Sequence, residues 1–329
     1  MKILSIETSC DETAVAIIED GQKVLSNIVS SQINVHQAFG GVVPEIASRI
    51  HIENISYVLE SALEAASCSL DDIDAFAITQ GPGLVGSLHV GIMAAKTLAW
   101  YTGKPLIPIH HITGHIYANR FVETLKYPLL ALVVSGGHTE LVYLKEEFKF
   151  EILGSTQDDA IGEAYDKVAR VMGLPYPGGP QIDALAKLGK VHYKLPKVKT
   201  QKPFDFSFSG LKSAVLQTIQ RNQTDLNKAD LAYAFQEAAL DELLSKTQHV
   251  LDTYLVKHLV LAGGVAANSR LRERIMDLKN KYPELLITIP PMWCCTDNAA
   301  MIGAVAEVAY RHGVVGSLDL AANPGLEYS

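Results

Sequence analysis

Cysteine is scarce in this chain: only Cys10, Cys68, Cys294 and Cys295 occur in 329 residues, none in a CxxC pair. The adjacent Cys294 and Cys295 are poorly placed for an ordinary disulfide, so neither a disulfide framework nor a zinc ribbon is suggested, and a reducing compartment fits. Long apolar runs are missing as well. The longest apolar helix candidate, Leu88 to Tyr101, is interrupted by His89 and Lys96. The opening MKILSIETSCDE lacks the basic stretch and apolar run of a signal peptide, so a cytoplasmic protein without a membrane span is expected. Positive charge is not in excess either. Lys and Arg number 28 against 36 Asp and Glu, a net charge of −8, so any grip on nucleic acid must be local. What the chain does have is a core: 48% hydrophobic and 19% charged residues place it among globular proteins, at a length that suits two domains or one two-lobed domain.

The sequence echoes itself. Residues Ile3 to Gln32 read as a strand, a polar turn over Thr8 to Glu12, a second strand, a hairpin centred on Gly21 and a third strand. Leu129 to Gln157 repeat the plan, with Ser135-Gly136-Gly137-His138-Thr139 as the first turn. A helix follows each meander, the first beginning near Pro44 with Ile55, Val58, Leu59, Ala62, Leu63 and Ala66 on one face. A buried strand comes next, running into Gly81-Pro82-Gly83 in the first half and Gly263-Gly264 in the second, and then another helix. A boundary near Pro128 therefore separates a first lobe (1–128 plus about 297–329) from a second (129–296), each of βββαβα plan, with the last helix, about 297–312, packing back on the first. This duplicated α/β plan resembles the actin, sugar-kinase and Hsp70 ATPase architecture, which implies a nucleotide cleft between lobes.

Several clusters can carry chemistry. The Ser135–Thr139 turn has glycines that let backbone N–H groups converge on phosphate or carboxylate oxygens; a plain hairpin is the bland reading. Gly263-Gly264-Val265-Ala266-Ala267-Asn268 opens a helix, where an anion is favoured, although Asn268 also suits a helix cap. Gly81-Pro82-Gly83-Leu84-Val85-Gly86 fits G-x-G-x-x-G, but no acidic residue lies about 20 residues beyond, so it reads as a packing turn. His111 and His115, at i and i+4 on a short helix, form half of a metal site, and Asp297 is the leading third ligand. Two partly exposed histidines and a helix-capping aspartate explain the same residues equally well. Asp11 and Glu12 lie in the first turn. Asp158, Asp159, Glu163, Asp166 and Asp183 follow the second meander, as ribose ligands, a base, or a solvated helix start. Finally, residues 187–202 hold six lysines and no acid, an extended basic arm for RNA phosphate or a solvated loop.

Taken together, IETSCDET, FGGVVPEIASR, GPGLVGSL, HHITGH, VSGGHT, DDAIGEAYDKVAR, YPGGP, KPFDFSFSGLKSAV, LAGGVAANS and CTDNAAMIG closely resemble the bacterial tRNA N(6)-adenosine threonylcarbamoyltransferase family, formerly described as O-sialoglycoprotein endopeptidases, over essentially the whole chain. The resemblance implies transfer of the threonylcarbamoyl group from threonylcarbamoyl-AMP to the exocyclic amine of adenosine 37, in tRNAs reading codons that begin with A, by an ATP-competent fold. It implies that His111, His115 and Asp297 bind iron or zinc, and that Val134, Ser135, Gly136, Gly137 and His138, with Asp166, Gly179, Asp183 and Asn268, bind the adenylate. It also implies a shorter paralogue paired with the first lobe and a small ATPase. Asp11 or Glu12 is the expected base, since the adenine should arrive at the first turn. Two departures stand out: Leu195-Pro196-Lys197-Val198 replaces a Phe-Pro-Arg-Pro-like run, and Gly303 replaces a usual alanine. A metal-dependent glycoprotein endopeptidase and a non-catalytic nucleotide-binding regulator are the rival readings. The first would want H-E-x-x-H, and Ile112, Thr113 and Gly114 stand between the histidines with no built-in base.

Overall fold

Strands β1 (Lys2–Glu7), β2 (Glu12–Glu19) and β3 (Lys23–Ser31) form the first antiparallel meander, with the return between β2 and β3 made by Gly21 at φ 67°. In the computed structural model, which describes residues 1–197, 200–222 and 225–328, β1 and β2 are buried almost throughout, as strands covered on both faces must be. Helices α1 (Ile33–His36) and α2 (Pro44–Ala65) follow, the latter opening on a proline whose fixed φ suits the first turn. Strand β4 (Ala75–Gly81) lies parallel to β1, helix α3 (Val85–Thr102) returns the chain, and β5 (Leu106–His110) lies parallel to β4 before α4 (His111–Tyr117) begins with no intervening loop. The sheet order is β3-β2-β1-β4-β5. Leu4, Ile6, Val15 and Ile17 of this sheet pack against Val58 and Ala62 of α2 and Leu88, Ile92 and Ala95 of α3.

The plan then repeats. Strands β6 (Leu129–Val134), β7 (Thr139–Leu144) and β8 (Phe150–Ser155) form the second meander. Helices α5 (Ile161–Val171), α6 (Gly178–Ala186), α7 (Ser209–Arg221) and α8 (Lys228–Thr253) precede β9 (His258–Ala262), α9 (Ser269–Asp277) and β10 (Leu286–Thr288). The order β10-β9-β6-β7-β8 matches the first sheet read from its β5 end, with β9 parallel to β6 as β4 is to β1. Two compact units result, Met1–Thr124 with Pro290–Ser329, and Leu125–Ile289. Among the described residues no helix is long and apolar enough to cross a membrane.

The last helix, α10 (Ala299–Arg311), returns to the first sheet, where Ala299 and Ala300 pack on Ala14, Ala16 and Ile18 and Ser5 Oγ donates to the Ala299 carbonyl. Gly303 has a local cause: a Cβ there would sit 2.5 Å from Ile18 Cγ1 and 3.0 Å from Ser5 Oγ. Gly303→Ala, the residue the family resemblance leads one to expect, should therefore cost about 1–3 kcal/mol by overpacking. A lowered denaturant midpoint checks this, and unchanged stability would mean that Ile18 can yield.

Candidate functional site

Strand β5 delivers the chain directly into α4, and the i, i+4 spacing turns His111 and His115 to one face, their rings edge to face with centroids 4.8 Å apart. Asp297 meets them from the start of the last helix. Its Oδ1 lies 3.1 Å from His115 Nε2 and 3.5 Å from His111 Nε2, and one donor atom from each of the three residues falls within 4.8 Å of the others. The capping role once open to Asp297 belongs to Asn298, whose side chain accepts from the Met301 N–H at 3.1 Å. The histidines are not partly exposed either: His111 is 8% exposed and His115 1%.

Behind this cluster stands a residue that the sequence reading missed. Glu7, at the end of β1 and fully buried, receives the His111 Nδ1–H on Oε2 at 3.0 Å, the Thr79 hydroxyl on the same oxygen at 2.5 Å and the Ser9 N–H on Oε1 at 2.6 Å. Ser9 Oγ adds a contact of 3.1 Å to His111 Nδ1. A carboxylate on Nδ1 favours the tautomer protonated there and orients the ring so that Nε2 can act as a ligand, the arrangement of a carboxylate–histidine–metal triad. The one available signal was Glu7 itself, an acid at a buried strand position.

The electrostatics favour positive charge at this cluster. Burial disfavours a charged His111, yet Asp297 and Glu7 outweigh it and hold its pKa well above the ordinary histidine value. Burial likewise pushes Asp297 up, and the two imidazoles reverse this and leave it below the usual carboxylate range. His115 turns Nε2 to Asp297, and its buried Nδ1 has no hydrogen bond among the described residues. Once a metal displaces the Nε2 protons, two imidazoles and a carboxylate match the donor set of zinc or ferrous iron.

Glu12 opens β2, and its Oε1 accepts from Ser31 Oγ at 3.2 Å. Burial, then the charges of Asp297 and Asp11, push its pKa well above the carboxylate norm. The turn that carries Asp11 is anchored by buried His51, whose Nε2 bonds the Cys10 carbonyl at 2.9 Å and whose Nδ1 pairs with Thr13 Oγ1 at 2.7 Å.

The second unit gathers the remaining candidates by themselves. In the Ser135–His138 turn the N–H groups of Gly137 and His138 are not free to converge on a ligand, because both reach Ser135 Oγ, at 3.3 and 2.9 Å. Val134 is fully buried, so only its backbone borders the turn. Gly136, Gly137, Gly179 and Gly264 nonetheless have open space where a Cβ would sit, and none of the four needs a left-handed backbone. Four glycines without a local cause suit a surface that another molecule approaches closely. Asp166 accepts the Gly178 N–H at 2.7 Å, and its burial raises its carboxyl pKa against the bonds from Gly178 and Gly179. Asp183 receives Ser269 Oγ at 2.8 Å, while Asn268 caps α9 by accepting from the Leu271 N–H at 2.8 Å and donates to Gln236 Oε1 at 2.8 Å. Asn268 thus fills its bland role. Asp158, left open as a ligand or base, instead takes the Ser207 and Ser209 hydroxyls and the Phe208 N–H and so starts α7. Asp159 and Glu163 both pair with Lys167.

Of the basic stretch 187–202, Val198 and Lys199 lie outside the described residues. Up to 197 it holds neither helix nor strand beyond the turn at Lys187 and Leu188 that finishes α6, and it is tied down: Leu195 is buried and the Tyr193 hydroxyl accepts from the Asn227 N–H at 3.1 Å. Lys187, Lys190, Lys194 and Lys197 are exposed along it.

A family model described as tRNA N6-adenosine threonylcarbamoyltransferase matches residues 23–304. The protein of that name from Bacillus licheniformis is 54% identical over 330 residues, covering 99% of this chain and 96% of that one, and its counterpart from Bacillus subtilis is 53% identical with the same coverage. Among solved structures, T. kodakarensis HypF is similar at TM-score 0.66 and 14% identity, over 97% of this chain and 49% of that one. Component A of the (R)-2-hydroxyglutaryl-CoA dehydratase of Acidaminococcus fermentans reaches TM-score 0.54 at 14% identity, over 94% and 99%. At such identities the two structures speak for the fold alone.

Proposed function

The chain belongs to the tRNA N6-adenosine threonylcarbamoyltransferase family and transfers a threonylcarbamoyl group to tRNA, and on that premise we propose how its residues share the work. The carrying observation is the convergence of His111 Nε2, His115 Nε2 and Asp297 Oδ1, with Glu7 behind His111. We assign this cluster to a divalent iron or zinc ion, which when bound supplies Lewis-acid polarisation of a carbonyl or phosphoryl oxygen.

The donor is threonylcarbamoyl-AMP and the acceptor the exocyclic amine of adenosine 37. Attack of N6 on the carbamoyl carbon forms a C–N bond, the C–O bond to the AMP phosphate breaks, AMP departs with the electron pair, and the amine loses a proton. An adenine amine is a weak nucleophile, so removal of that proton matters, and Glu12 is the acceptor we assign, with Asp11 beside it. Burial raises the pKa of Glu12, which makes it a stronger proton acceptor than an ordinary carboxylate. In the second unit the open backbone at Gly136, Gly137, Gly179 and Gly264 faces the adenylate, while Asp166, Asp183 and Asn268 hold the segments that carry it. The target base sits in a single-stranded anticodon loop and can be splayed out without unpairing a duplex.

Reconstitution with threonine, bicarbonate, ATP, tRNA, the shorter paralogue and the small ATPase should yield threonylcarbamoylated adenosine by mass spectrometry. No modified nucleoside in an assay that works with a relative in place of this chain would overturn the assignment.

Two interaction surfaces follow. The basic stretch meets tRNA phosphates, so replacing Lys194, Lys197 and Lys199 by Ala should weaken tRNA binding, reduce its salt dependence by about one slope unit for each phosphate no longer neutralised, and leave adenylate affinity unchanged. Unaltered tRNA affinity would retire the idea. The paralogue docks on α2 and α3, which flank an apolar groove of about 680 Å³ lined by Ile52, Ile55, Leu59, Val90, Met93 and Leu98. Ile52 is 65% exposed and Met93 56%, a patch that a monomer would be expected to cover. Ile52→Asp with Met93→Asp should abolish co-elution with the paralogue, and persistence of the complex would move the interface elsewhere.

A further inference from the structure

The GPGLVG turn has a structural cause that lies far away in sequence. A Cβ at Gly81 would sit 1.8 Å from the Asn323 carbonyl oxygen and 3.1 Å from Leu326 Cβ, because residues 320–328 run across the ends of β4 and β5. The segment is tied on throughout. Lys96 Nζ donates to the Leu320 carbonyl at 3.1 Å, Gln80 Nε2 to that of Ala321 at 3.2 Å and the Gly83 N–H to that of Pro324 at 3.3 Å, while the Asn323 N–H donates to Gln80 O at 2.9 Å. Leu320 and Ala322 pack on the apolar core of the first unit. Its last described residues reach His110. The His110 Nε2–H donates to the Leu326 carbonyl at 3.0 Å, and the Tyr328 ring stacks on the imidazole with centroids 4.5 Å apart at 19°.

His110 caps α4, its Nδ1 accepting from the Ile112 N–H at 3.2 Å. One ring nitrogen thus holds the start of the histidine-bearing helix and the other holds the 320–328 segment. A second path joins the same two places. Gly83 donates to Pro324, the next N–H, that of Leu84, donates to the Ser9 carbonyl at 2.8 Å, and Ser9 Oγ lies 3.1 Å from His111 Nδ1. A helix of two turns has little rigidity of its own, so its attitude depends on what grips its first residues.

We propose that residues 320–328 act as a clasp that, through His110 and through Ser9, fixes the orientation of His111, making His110 a positioning residue for the metal centre. This rests on the metal reading of His111, His115 and Asp297. Partners one step removed from a metal typically alter affinity about 10–100-fold. Deleting residues 326–328 from the full chain should therefore weaken Zn2+ binding, measured against a chromophoric chelator, by about 10-fold or more and shift the visible absorption of bound Co2+. Affinity for a non-hydrolysable threonylcarbamoyl-adenylate analogue, held by the second unit, should not change. His110→Asn keeps a capping acceptor but loses the clasp and should reproduce the deletion, whereas Tyr328→Phe keeps the stack and should retain wild-type affinity and spectrum. Wild-type Zn2+ affinity and an unshifted Co2+ spectrum in both the deletion and His110→Asn would overturn the clasp alone. Failure of the unaltered chain to bind either ion in a manner that His115→Ala abolishes would overturn the metal reading, and the clasp with it.

Discussion

Asp297→Ala should lose bound metal and threonylcarbamoyl transfer together. Asp297 is the carboxylate on which both Nε2 atoms converge, and without it two imidazoles are left to hold the ion. A Lewis acid at a developing charge contributes several kcal/mol, so at about 1.4 kcal/mol per tenfold a fall of about a thousandfold in kcat/KM is expected. The fold should survive, because Asn298 still caps α10 and Ser5 still binds Ala299. Metal analysis beside a transfer assay checks this, and full activity in a metal-free variant would remove the metal from catalysis. Glu7→Gln makes a finer test. It keeps the volume but weakens the grip on His111 Nδ1, so metal affinity should fall about 10–100-fold, with less effect than loss of a direct ligand.

The second large effect is expected at Gly162. A Cβ there would lie 2.7 Å from the Ser135 carbonyl oxygen, 2.8 Å from Gly136 Cα and 2.9 Å from Gly136 N, and all three are backbone atoms. The Gly162 N–H also donates to Ser135 O at 3.1 Å, so the start of α5 and the Ser135–His138 turn are pressed together. Gly162→Ala must push the turn outward, at a cost of about 1–3 kcal/mol. Adenylate affinity should fall about tenfold to a hundredfold, while Zn2+ affinity stays at the wild-type value because every metal-binding side chain belongs to the other unit. Equal adenylate affinity in wild type and variant would show that this turn is not where the donor sits.

The two predictions differ in how far the sequence alone could have led to them. His111 and His115 were legible as a pair because helical periodicity sends i and i+4 the same way, and Asp297 was placed with them because the last helix was expected on the first lobe. Whether that trio was a site or three unremarkable polar residues was not decidable from spacing. Burial of both imidazoles, and the assignment of the capping duty to Asn298, settled their surroundings. The Gly162 contact was invisible, since nothing in DDAIGEAYDKVAR says which backbone lies against that glycine. The Ser135 hydroxyl's hold on the Gly137 and His138 N–H groups was equally hidden, because a seryl side chain can close on its own turn or point away.

Local and periodic features were legible in the chain alone: the duplicated meander, the buried strands, the helix that aims two histidines together, and motifs long enough to mark a family. Those follow from residue preferences and side-chain period, which act over a few neighbours. Contacts across long stretches of chain emerged from the folded molecule: Glu7 behind His111, Ile18 against Gly303, and the 320–328 segment across Gly81 and onto His110. Such contacts come from close packing of elements distant in sequence, where a single carbonyl or methylene sets the residue at the far side and leaves no periodic trace of having done so.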